Sequence, residues 1–351
     1  MSYFAKPDIV HPKTKRNKLG LTSRDYEGTV STLCAGCGHD SVTAALIQAI
    51  FELEIEPHML AKISGIGCSS KTPAYFVSQS HGFNAVHGRM PSVTTGANAA
   101  RSDLTYVGVS GDGDSLSIGM GQFAHVIRRN LNMCYLIENN GVYGLTKGQY
   151  SASADVGSVA KKGAPNKQMP IDPVSTAIGL GATYIARSFS GDKSQLVPLI
   201  KGALTHKGFA LLDIISPCVT FNDHEGSTKS YAHTREHYHH VIDADFVAPA
   251  EEIKADYDEG SAMPVELHDG SKIIFRKVDK DYDPTSRAAA FSFLRDSVNA
   301  GEIITGLLYI DSETGDMHDL SGSVERPLAK IPFNELSPGK DTLAKVMDRY
   351  R

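Results

Sequence analysis

The sequence predicts an α/β fold in which one parallel sheet carries helices on both faces. Short apolar strands alternate with helical patterns from about residue 40 to residue 218, and this alternation is typical of a parallel sheet with crossover helices. Residues 105–150 show it most clearly, because a β-branched run, an acidic glycine turn, a helical pattern and a second apolar run follow one another. A chain of 351 residues is also long enough to bury a full core.

Each predicted element is indicated by a helix-capping residue, by a proline at the first helical position or by the spacing of its apolar residues. The predicted helices are one capped by Asp40 or Ser41, residues 94–102, one starting near Ser115, one opened by Asp172-Pro173, one starting at Asp192, and residues 287–298. The predicted strands are residues 59–63, 105–110, 133–137, 183–186, 209–215 and 302–310. A glycine- and histidine-containing loop is expected at residues 81–91.

These patterns divide the chain into three parts. Residues 1–30 are polar with little periodicity, and we expect an N-terminal arm. Residues 31–222 hold the alternating strands and helices together with the motifs described below. Residues 223–351 change character and include a hairpin pattern around Asp269-Gly270. We expect this last part to be an extension that covers the core or a partner.

The composition argues against several classes of protein. A formal net charge of −5 does not suit a protein that binds nucleic acid. No apolar run approaches the length of a membrane span, and the polar first twenty residues lack the apolar core of a signal peptide. The five cysteines, an odd number, do not make a disulfide framework. We therefore expect a cytoplasmic protein that binds neither nucleic acid nor a membrane.

The loops that follow the two central strands suit a metal-bound diphosphate. Both lie at the carboxyl ends of strands, where ligands bind. Glycines at positions 111 and 113 let backbone amides approach phosphate oxygens, and the helix starting near Ser115 offers its positive end. Asp112, Asn140 and the carbonyl of Val142 could supply the hard oxygen ligands that Mg²⁺ prefers. GDG alone is a weak pattern, but GDGD, a helix, a strand and NNGVYG together are a strong one.

Four of the five cysteines lie in loops, whereas Cys134 lies inside an apolar strand, where a cysteine is usually a small buried hydrophobe. The loop cysteines are Cys34, Cys37, Cys68 and Cys218. One close pair and two distant cysteines favour a [4Fe–4S] cluster over structural zinc, which prefers two close pairs. Spacing alone leaves a cluster, zinc and inert thiols all open.

The same motifs resemble the β chain of 2-oxoacid:ferredoxin oxidoreductases. GDG followed by NN is similar to the thiamine diphosphate motif, and GDGD, RRN and NNGVYGLTKGQYS extend the resemblance. CAGCGHD, GIGCSSKTPAYF and ISPC match the cluster-binding segments in the same order. The resemblance runs from about Ser31 to Phe221 and implies the thiamine diphosphate-binding fold of the diphosphate-binding type.

The resemblance also implies a role for each motif residue. Asp112, Asn140 and the Val142 carbonyl would hold Mg²⁺ on thiamine diphosphate, and the four loop cysteines would bind a [4Fe–4S] cluster. The further residues implied to contact the cofactor are Ile66, Gly67, Ser69, His87, Gly111, Gly113, Asp114, Gly144 and Leu145. From chemistry alone, a loop histidine such as His87 is more often structural or solvated.

Two lysines are candidates to pair with a substrate carboxylate. Lys71 lies three residues after Cys68 and would therefore lie near the thiamine, although a lone lysine is usually a solvated surface charge. As a compact point charge it suits a carboxylate, and Lys147 is a weaker candidate. The segment around Lys71 resembles the members that use 2-oxoglutarate, whose second carboxylate needs a cation. Pyruvate or a broader range of 2-oxoacids stays open.

Thiamine diphosphate and a cluster on one chain predict the oxidative decarboxylation of a 2-oxoacid, with coenzyme A as acyl acceptor and ferredoxin as electron acceptor, in a reversible reaction. The rival interpretations are a non-redox thiamine lyase or decarboxylase with structural cysteines, and an electron carrier without thiamine. The resemblance implies that a larger α chain supplies the pyrimidine-binding domain and its activating glutamate. We therefore expect a heterodimer, or a dimer of heterodimers, and a β chain that is inactive alone.

Overall fold

The computed structural model describes residues 13–159, 164–247, 262–266, 272–277 and 282–351, and for residues 242–247, 262–266 and 272–277 it describes the strands only. The strands are β1 (Leu60–Ser64), β2 (His81–Asn84), β3 (Thr105–Gly111), β4 (Met133–Asn139), β5 (Val142–Tyr143), β6 (Gln149–Tyr150), β7 (Tyr184–Phe189), β8 (Phe209–Ile215), β9 (Tyr238–Val247), β10 (Ala262–Glu266), β11 (Lys272–Lys277) and β12 (Ile303–Ile310). The α-helices are α1 (Gly38–Glu52), α2 (Met90–Ala100), α3 (Met120–Arg128), α4 (Pro173–Leu180), α5 (Lys193–Thr205), α6 (Tyr231–His237), α7 (Arg287–Ala300), α8 (Met317–Ser321), α9 (Phe333–Leu336) and α10 (Gly339–Asp348).

The centre of the sheet is parallel, as predicted. Its strands run in the order β2-β1-β3-β4-β8-β7, and each neighbouring pair in this series is parallel. Strand β12 pairs antiparallel with β7, and β9, β11 and β10 continue the sheet beyond it. Strands from both sides of residue 222 therefore share one sheet. The division of the chain into three parts stays a prediction.

Helices cover both faces of the sheet, which confirms the predicted fold class. Helices α1 and α5 pack together on one face, and α2, α3, α4 and α7 pack in series on the other. The connections through α2, α3 and α4 all progress in one direction along the sheet, whereas α5 leads back from β7 to β8. Because parallel crossovers are right-handed, this reversal moves α5 to the opposite face.

The core lies between the sheet and these helices and contains interlocking aromatic rings. Phe123 of α3, Tyr135 of β4 and Phe209 of β8 meet edge to face, with centroids 5.6–6.3 Å apart. Such pairs stabilise a core beyond the burial of their area. No helix in the part of the chain that the structure describes has the length and apolar character of a membrane span.

Some predicted elements differ from the observed ones. The helix expected near Ser115 begins as a π-helical turn, Gly113–Ile118, and continues as α3 after a break at Gly119. A side chain at Gly119 would press on the backbone of Asp114 and Gly88, so the break lies where two loops touch. Residues 81–91, expected to be a loop, begin with the edge strand β2. The hairpin expected around Asp269-Gly270 pairs β10 with β11, and its turn lies outside the described residues.

Candidate functional site

The loops after strands β1, β2, β3, β4 and β8 and the segment before α1 meet at the carboxyl edge of the sheet. The chain reverses its direction along the sheet between β7 and β8, and ligands bind at such switch points. The loops line two clefts. The Asp112 cleft, of about 520 Å³, has Asp112 and Asn140 in its wall. The cysteine cleft, of about 480 Å³, is lined by all four loop cysteines.

Asp112 is buried and held by hydrogen bonds from four groups. Its Oδ2 accepts from the backbone N–H of Gly141 at 3.1 Å, from Ser153 Oγ at 2.6 Å and from Ser151 Oγ, and its Oδ1 accepts a long bond from the Asn140 N–H at 3.4 Å. Burial raises the pKa of Asp112, and the hydrogen bonds from the two serines oppose that rise. The carboxylate is therefore fixed in position before any ligand binds.

The loop after β4 places further oxygen atoms beside Asp112. Asn140 is buried, and its Oδ1 accepts a hydrogen bond from the Val142 N–H at 3.0 Å. Gly141 between them has a φ of +72°, a left-handed conformation that favours glycine. One carboxylate, one amide oxygen and one backbone carbonyl make a donor set that fits Mg²⁺ shared with phosphate oxygens. The residues present thus fit a metal-bound diphosphate.

Asp114, two residues after Asp112, holds loops together. Its Oδ1 accepts from the Gly88 N–H at 2.7 Å and from His87 Nδ1, and its Oδ2 accepts from Ser110 Oγ at 2.5 Å. A Cβ on Gly65 would collide with this carboxylate, so the loop after β1 packs directly against it. The bond to Asp114 occupies Nδ1 of His87, which leaves Nε2 as the nitrogen available to a ligand.

The other residues implied to contact the cofactor line the Asp112 cleft, and their roles stay predictions. They are Ile66, Gly67, Ser69, His87, Gly111, Gly113, Gly144 and Leu145. Tyr143 also lines this cleft and was not predicted. Its hydroxyl donates to the Gly113 carbonyl at 3.2 Å, and its ring fills the space that a side chain at Gly113 would need.

The cysteine cleft adjoins the Asp112 cleft across a thin wall. A Cβ on Gly144 would lie 3.5 Å from Cys68 Sγ and 3.6 Å from Cys218 Sγ, and Gly144 lines both clefts. Cys34 is exposed and Cys37 is buried. Cys134 is buried inside β4, as its apolar surroundings predict.

The four thiols surround a space and do not converge on a point. Among the described residues, no three His, Cys, Asp or Glu side chains are grouped closely enough to hold one metal ion. Four thiols along one cleft match the ligand number of a [4Fe–4S] cluster, in which each iron takes its own thiolate. Burial raises the pKa of Cys37 to about 12 and raises the pKa of Cys68 and Cys218. These thiols stay protonated near neutral pH until a metal replaces the proton.

Two buried ionisable residues near the shared wall were not predicted. His39 lines both clefts and Glu138 lines the Asp112 cleft. Thr72 Oγ1 donates to Glu138 at 3.1 Å, and His39 Nδ1 lies 2.6 Å from Ser216 Oγ and 3.5 Å from Glu138 Oε2. Burial raises the pKa of Glu138 well above its usual value and lowers the pKa of His39 to about 4. Burial therefore favours the uncharged form of both side chains.

The two candidate lysines lie in different places. Lys71 lines the cysteine cleft, not the Asp112 cleft, and its Nζ donates to Thr32 Oγ1 at 3.2 Å. Lys147 is exposed at the tip of the small hairpin of β5 and β6 and lines neither cleft. The structure therefore brings Lys71 to the edge of the site and leaves Lys147 outside it.

Comparisons with known proteins first define the class. Residues 65–214 match the family described as thiamine pyrophosphate enzyme, C-terminal TPP binding domain. This segment contains Asp112, Asn140 and nearly all of the lining of the Asp112 cleft. The fold and the cleft are those of a thiamine diphosphate-binding domain.

The relatives define the family within that class. The chain is 42% identical over 192 residues to 2-oxoglutarate oxidoreductase subunit KorB of Mycobacterium tuberculosis, which covers 54% of this chain and 51% of the relative. It is 39% identical over 190 residues to 2-oxoglutarate synthase subunit KorB of Methanocaldococcus jannaschii. This match covers 54% of the present chain and 69% of the relative. The matched part thus spans only about half of the mycobacterial relative.

A solved structure resembles the chain over nearly its whole length. It is 2-oxoglutarate:ferredoxin oxidoreductase from Magnetococcus marinus with 2-oxoglutarate, coenzyme A and succinyl-CoA bound, with a TM-score of 0.71 and 30% identity. The match covers 96% of this chain and 97% of that one. The chain belongs to the family of 2-oxoacid:ferredoxin oxidoreductase beta subunits.

Proposed function

We propose that the chain is the β subunit of an enzyme that oxidatively decarboxylates a 2-oxoacid, transfers the acyl group to coenzyme A and passes electrons to ferredoxin, reversibly. The best candidate substrate is 2-oxoglutarate, which gives succinyl-CoA and CO₂. One observation carries this proposal: the Asp112 cleft and the cysteine cleft share the lining residues His39, Cys68, Asn140 and Gly144. Cofactors in these two clefts would be neighbours.

In this proposal Asp112, Asn140 and the Val142 carbonyl hold Mg²⁺ on thiamine diphosphate. When bound, thiamine diphosphate supplies a carbanion that attacks the keto carbon and stabilises the charge left by departing CO₂. The residues of this chain position the diphosphate. Ser151 and Ser153 fix the Asp112 carboxylate, and Asp114 fixes the ring of His87.

The four loop cysteines bind the [4Fe–4S] cluster that receives the electrons. Gly144 adds no side chain to the wall between the clefts, and the exposed loop at Cys34 would leave the cluster open towards a protein acceptor. A non-redox thiamine lyase would not need four thiols beside the cofactor. An electron carrier without thiamine would not need the hydrogen-bonded ligand set around Asp112.

Lys71 is the proposed partner of the second carboxylate of 2-oxoglutarate. It lies three residues from Cys68 and lines the cleft next to the cofactor cleft. The Magnetococcus marinus enzyme, similar in structure, has 2-oxoglutarate and succinyl-CoA bound, which supports this substrate class. Lys147 is the weaker candidate, and pyruvate is the alternative substrate.

The remaining part of the active site comes from an α chain with the pyrimidine-binding domain. Two exposed apolar side chains, Ile66 and Leu145, line the Asp112 cleft and support a partner that covers it. Val86, which precedes the lining residue His87 in the sequence, is also exposed. We propose a heterodimer, or a dimer of heterodimers, in the cytoplasm.

The test uses the anaerobic complex of this chain with its α partner. We expect about four iron and four acid-labile sulfide per β chain, and a visible absorbance that 2-oxoglutarate with coenzyme A bleaches. Zinc without sulfide would favour the thiamine lyase. A cluster that no 2-oxoacid bleaches would favour the electron carrier, and bleaching by pyruvate alone would overturn the substrate assignment.

A further inference from the structure

Asn222, a residue outside every motif in the sequence, links the two clefts. It is 1% exposed. Its backbone N–H donates to the carbonyl of Cys218 at 2.9 Å, and its side-chain Nδ2 donates to the carbonyl of Asn140 at 2.8 Å. One buried residue therefore hydrogen-bonds both to a proposed cluster-binding residue and to a proposed Mg²⁺-binding residue.

The segment that follows Asn222 returns to Asp112 by a second route. Thr228 Oγ1 donates to Asp155 Oδ2 at 2.6 Å, and Lys229 Nζ lies 3.1 Å from the same oxygen. Asp155 follows two residues after Ser153, which donates to Asp112. Residues 219–229 therefore contact the loops on both sides of the Mg²⁺ ligand set.

Cys218 and Asn140 are consequently restrained relative to each other through Asn222. Ser227 Oγ donates to the carbonyl of Asn222 at 3.0 Å and closes the turn of this segment. Because Asn222 is buried, water does not compete for its bonds to Cys218 and Asn140. A ligand that fixes Cys218 in one place thereby restricts Asn222, and Asn222 restricts the loop that holds Mg²⁺.

We propose that residues 219–229 couple the two cofactor sites, with Asn222 as the positioning residue between them. A cluster bound at Cys218 raises the affinity for Mg²⁺ and thiamine diphosphate, and the bound diphosphate in turn stabilises the cluster, because such coupling is reciprocal. The inference rests on the proposed function, since it needs both cofactors on this chain.

The experiment measures thiamine diphosphate binding calorimetrically, in excess MgCl₂, to the complex of this chain with its α partner. Each protein is measured with its cluster intact and after the iron has been removed by a chelator under reducing conditions. For the wild type we expect binding about tenfold tighter with the cluster, within the usual range of such couplings. In Asn222→Asp the carboxylate cannot donate to the Asn140 carbonyl, so we expect weaker binding and a ratio near one.

A matched control is available at the opposite edge of the sheet. Asn98 is equally buried, and its Nδ2 also donates to a backbone carbonyl, that of Asn132 at 3.4 Å. Asn98→Asp should keep the tenfold ratio. Lys229→Gln loosens the other end of the segment and should lower the ratio without abolishing it.

Each outcome supports or overturns the coupling. The coupling is overturned if the wild type binds thiamine diphosphate equally well with and without the cluster. It is also overturned if the ratio of these two affinities is unchanged in Asn222→Asp or is lost in Asn98→Asp. If Asn222→Asp does not assemble, an unchanged ratio in Lys229→Gln overturns it. A wild type that binds both cofactors independently refutes the coupling alone, whereas a wild type that binds only one of them refutes the proposed function as well.

Discussion

The Asp112 cleft and the cysteine cleft lie side by side but are organised differently. In the Asp112 cleft the ligand groups are bonded to one another and to the protein, since Asp112 accepts from the Asn140 and Gly141 amides and Asn140 accepts from the Val142 amide. In the cysteine cleft the four thiols line an open space, and burial raises the pKa of Cys37, Cys68 and Cys218, which favours their protonated form. The geometry of the Asp112 cleft is therefore set by the protein itself, whereas the geometry of the cysteine cleft depends on the group that binds there.

This difference predicts different responses to mutation. In the Asp112 cleft, which the protein holds in shape, removal of one group should lower the cofactor affinity by a graded amount. In the cysteine cleft, which the ligand organises, removal of one thiolate should abolish cluster binding almost completely.

The largest effect is expected from Cys37→Ser. The variant should lose the cluster, because the buried hydroxyl is a poor substitute for a thiolate. Cys134→Ser should keep it, since Cys134 lies in β4 away from the cleft. Iron and sulfide analysis of both purified complexes measures this, and a full complement of iron in Cys37→Ser would contradict the ligand assignment.

Asp112→Ala should weaken thiamine diphosphate binding in MgCl₂ by more than about a hundredfold, because a charged Mg²⁺ ligand is removed. Ser153→Ala removes only a bond to that ligand and should cost about tenfold. Titration calorimetry measures both affinities, with the cluster absorbance as the control for folding. Equal losses in the two variants would show that the site is not held in shape as described.

Lys71→Met should raise the KM for 2-oxoglutarate by roughly tenfold to a hundredfold, the range for a lost hydrogen bond to a charged group. The KM for pyruvate, which has no second carboxylate, should stay near that of the wild type. Lys147→Met serves as the matched control, because Lys147 lines neither cleft. Steady-state rates with both substrates decide between the two lysines.

The smallest effect concerns Cys134, whose pKa is raised by burial. In the unfolded chain this thiol ionises above a pH of about 8.5, whereas in the folded chain it stays protonated. The stability that Cys134 contributes is therefore complete below that pH and declines as the pH rises. The free energy of unfolding should fall by about 1.4 kcal/mol per pH unit through this group. Cys134→Ala should lack that slope between pH 9 and 10 in urea unfolding. A constant difference between wild type and variant would contradict the expectation.

Local patterns sufficed to predict the sheet type and most strands of its parallel centre, although β2 was expected to be a loop. Strand β8 was predicted with its observed bounds, because a run that is apolar except for Asp213 is typical of a strand buried on both faces. The pairing of β12 between β7 and β9 was not predicted. A strand pattern does not specify which strand lies beside it.

The candidate site was predictable only where its residues form a local motif. Asp112 and Asp114 lie two residues apart, yet Asp112 accepts hydrogen bonds from the loop after β4 while Asp114 accepts them from His87 and Gly88. Ser153 and Asn222 were missed because their partners lie 41 and 82 residues away. Glu138 did leave a trace, since an acidic residue inside an apolar strand is unusual.

The edge strand β2 has a consequence for how this protein must be made. All four of its residues are exposed, and Phe83 is 60% exposed. An edge strand with unpaired backbone groups is a template on which other chains can assemble. Chain that is produced with β2 uncovered should therefore aggregate through this strand.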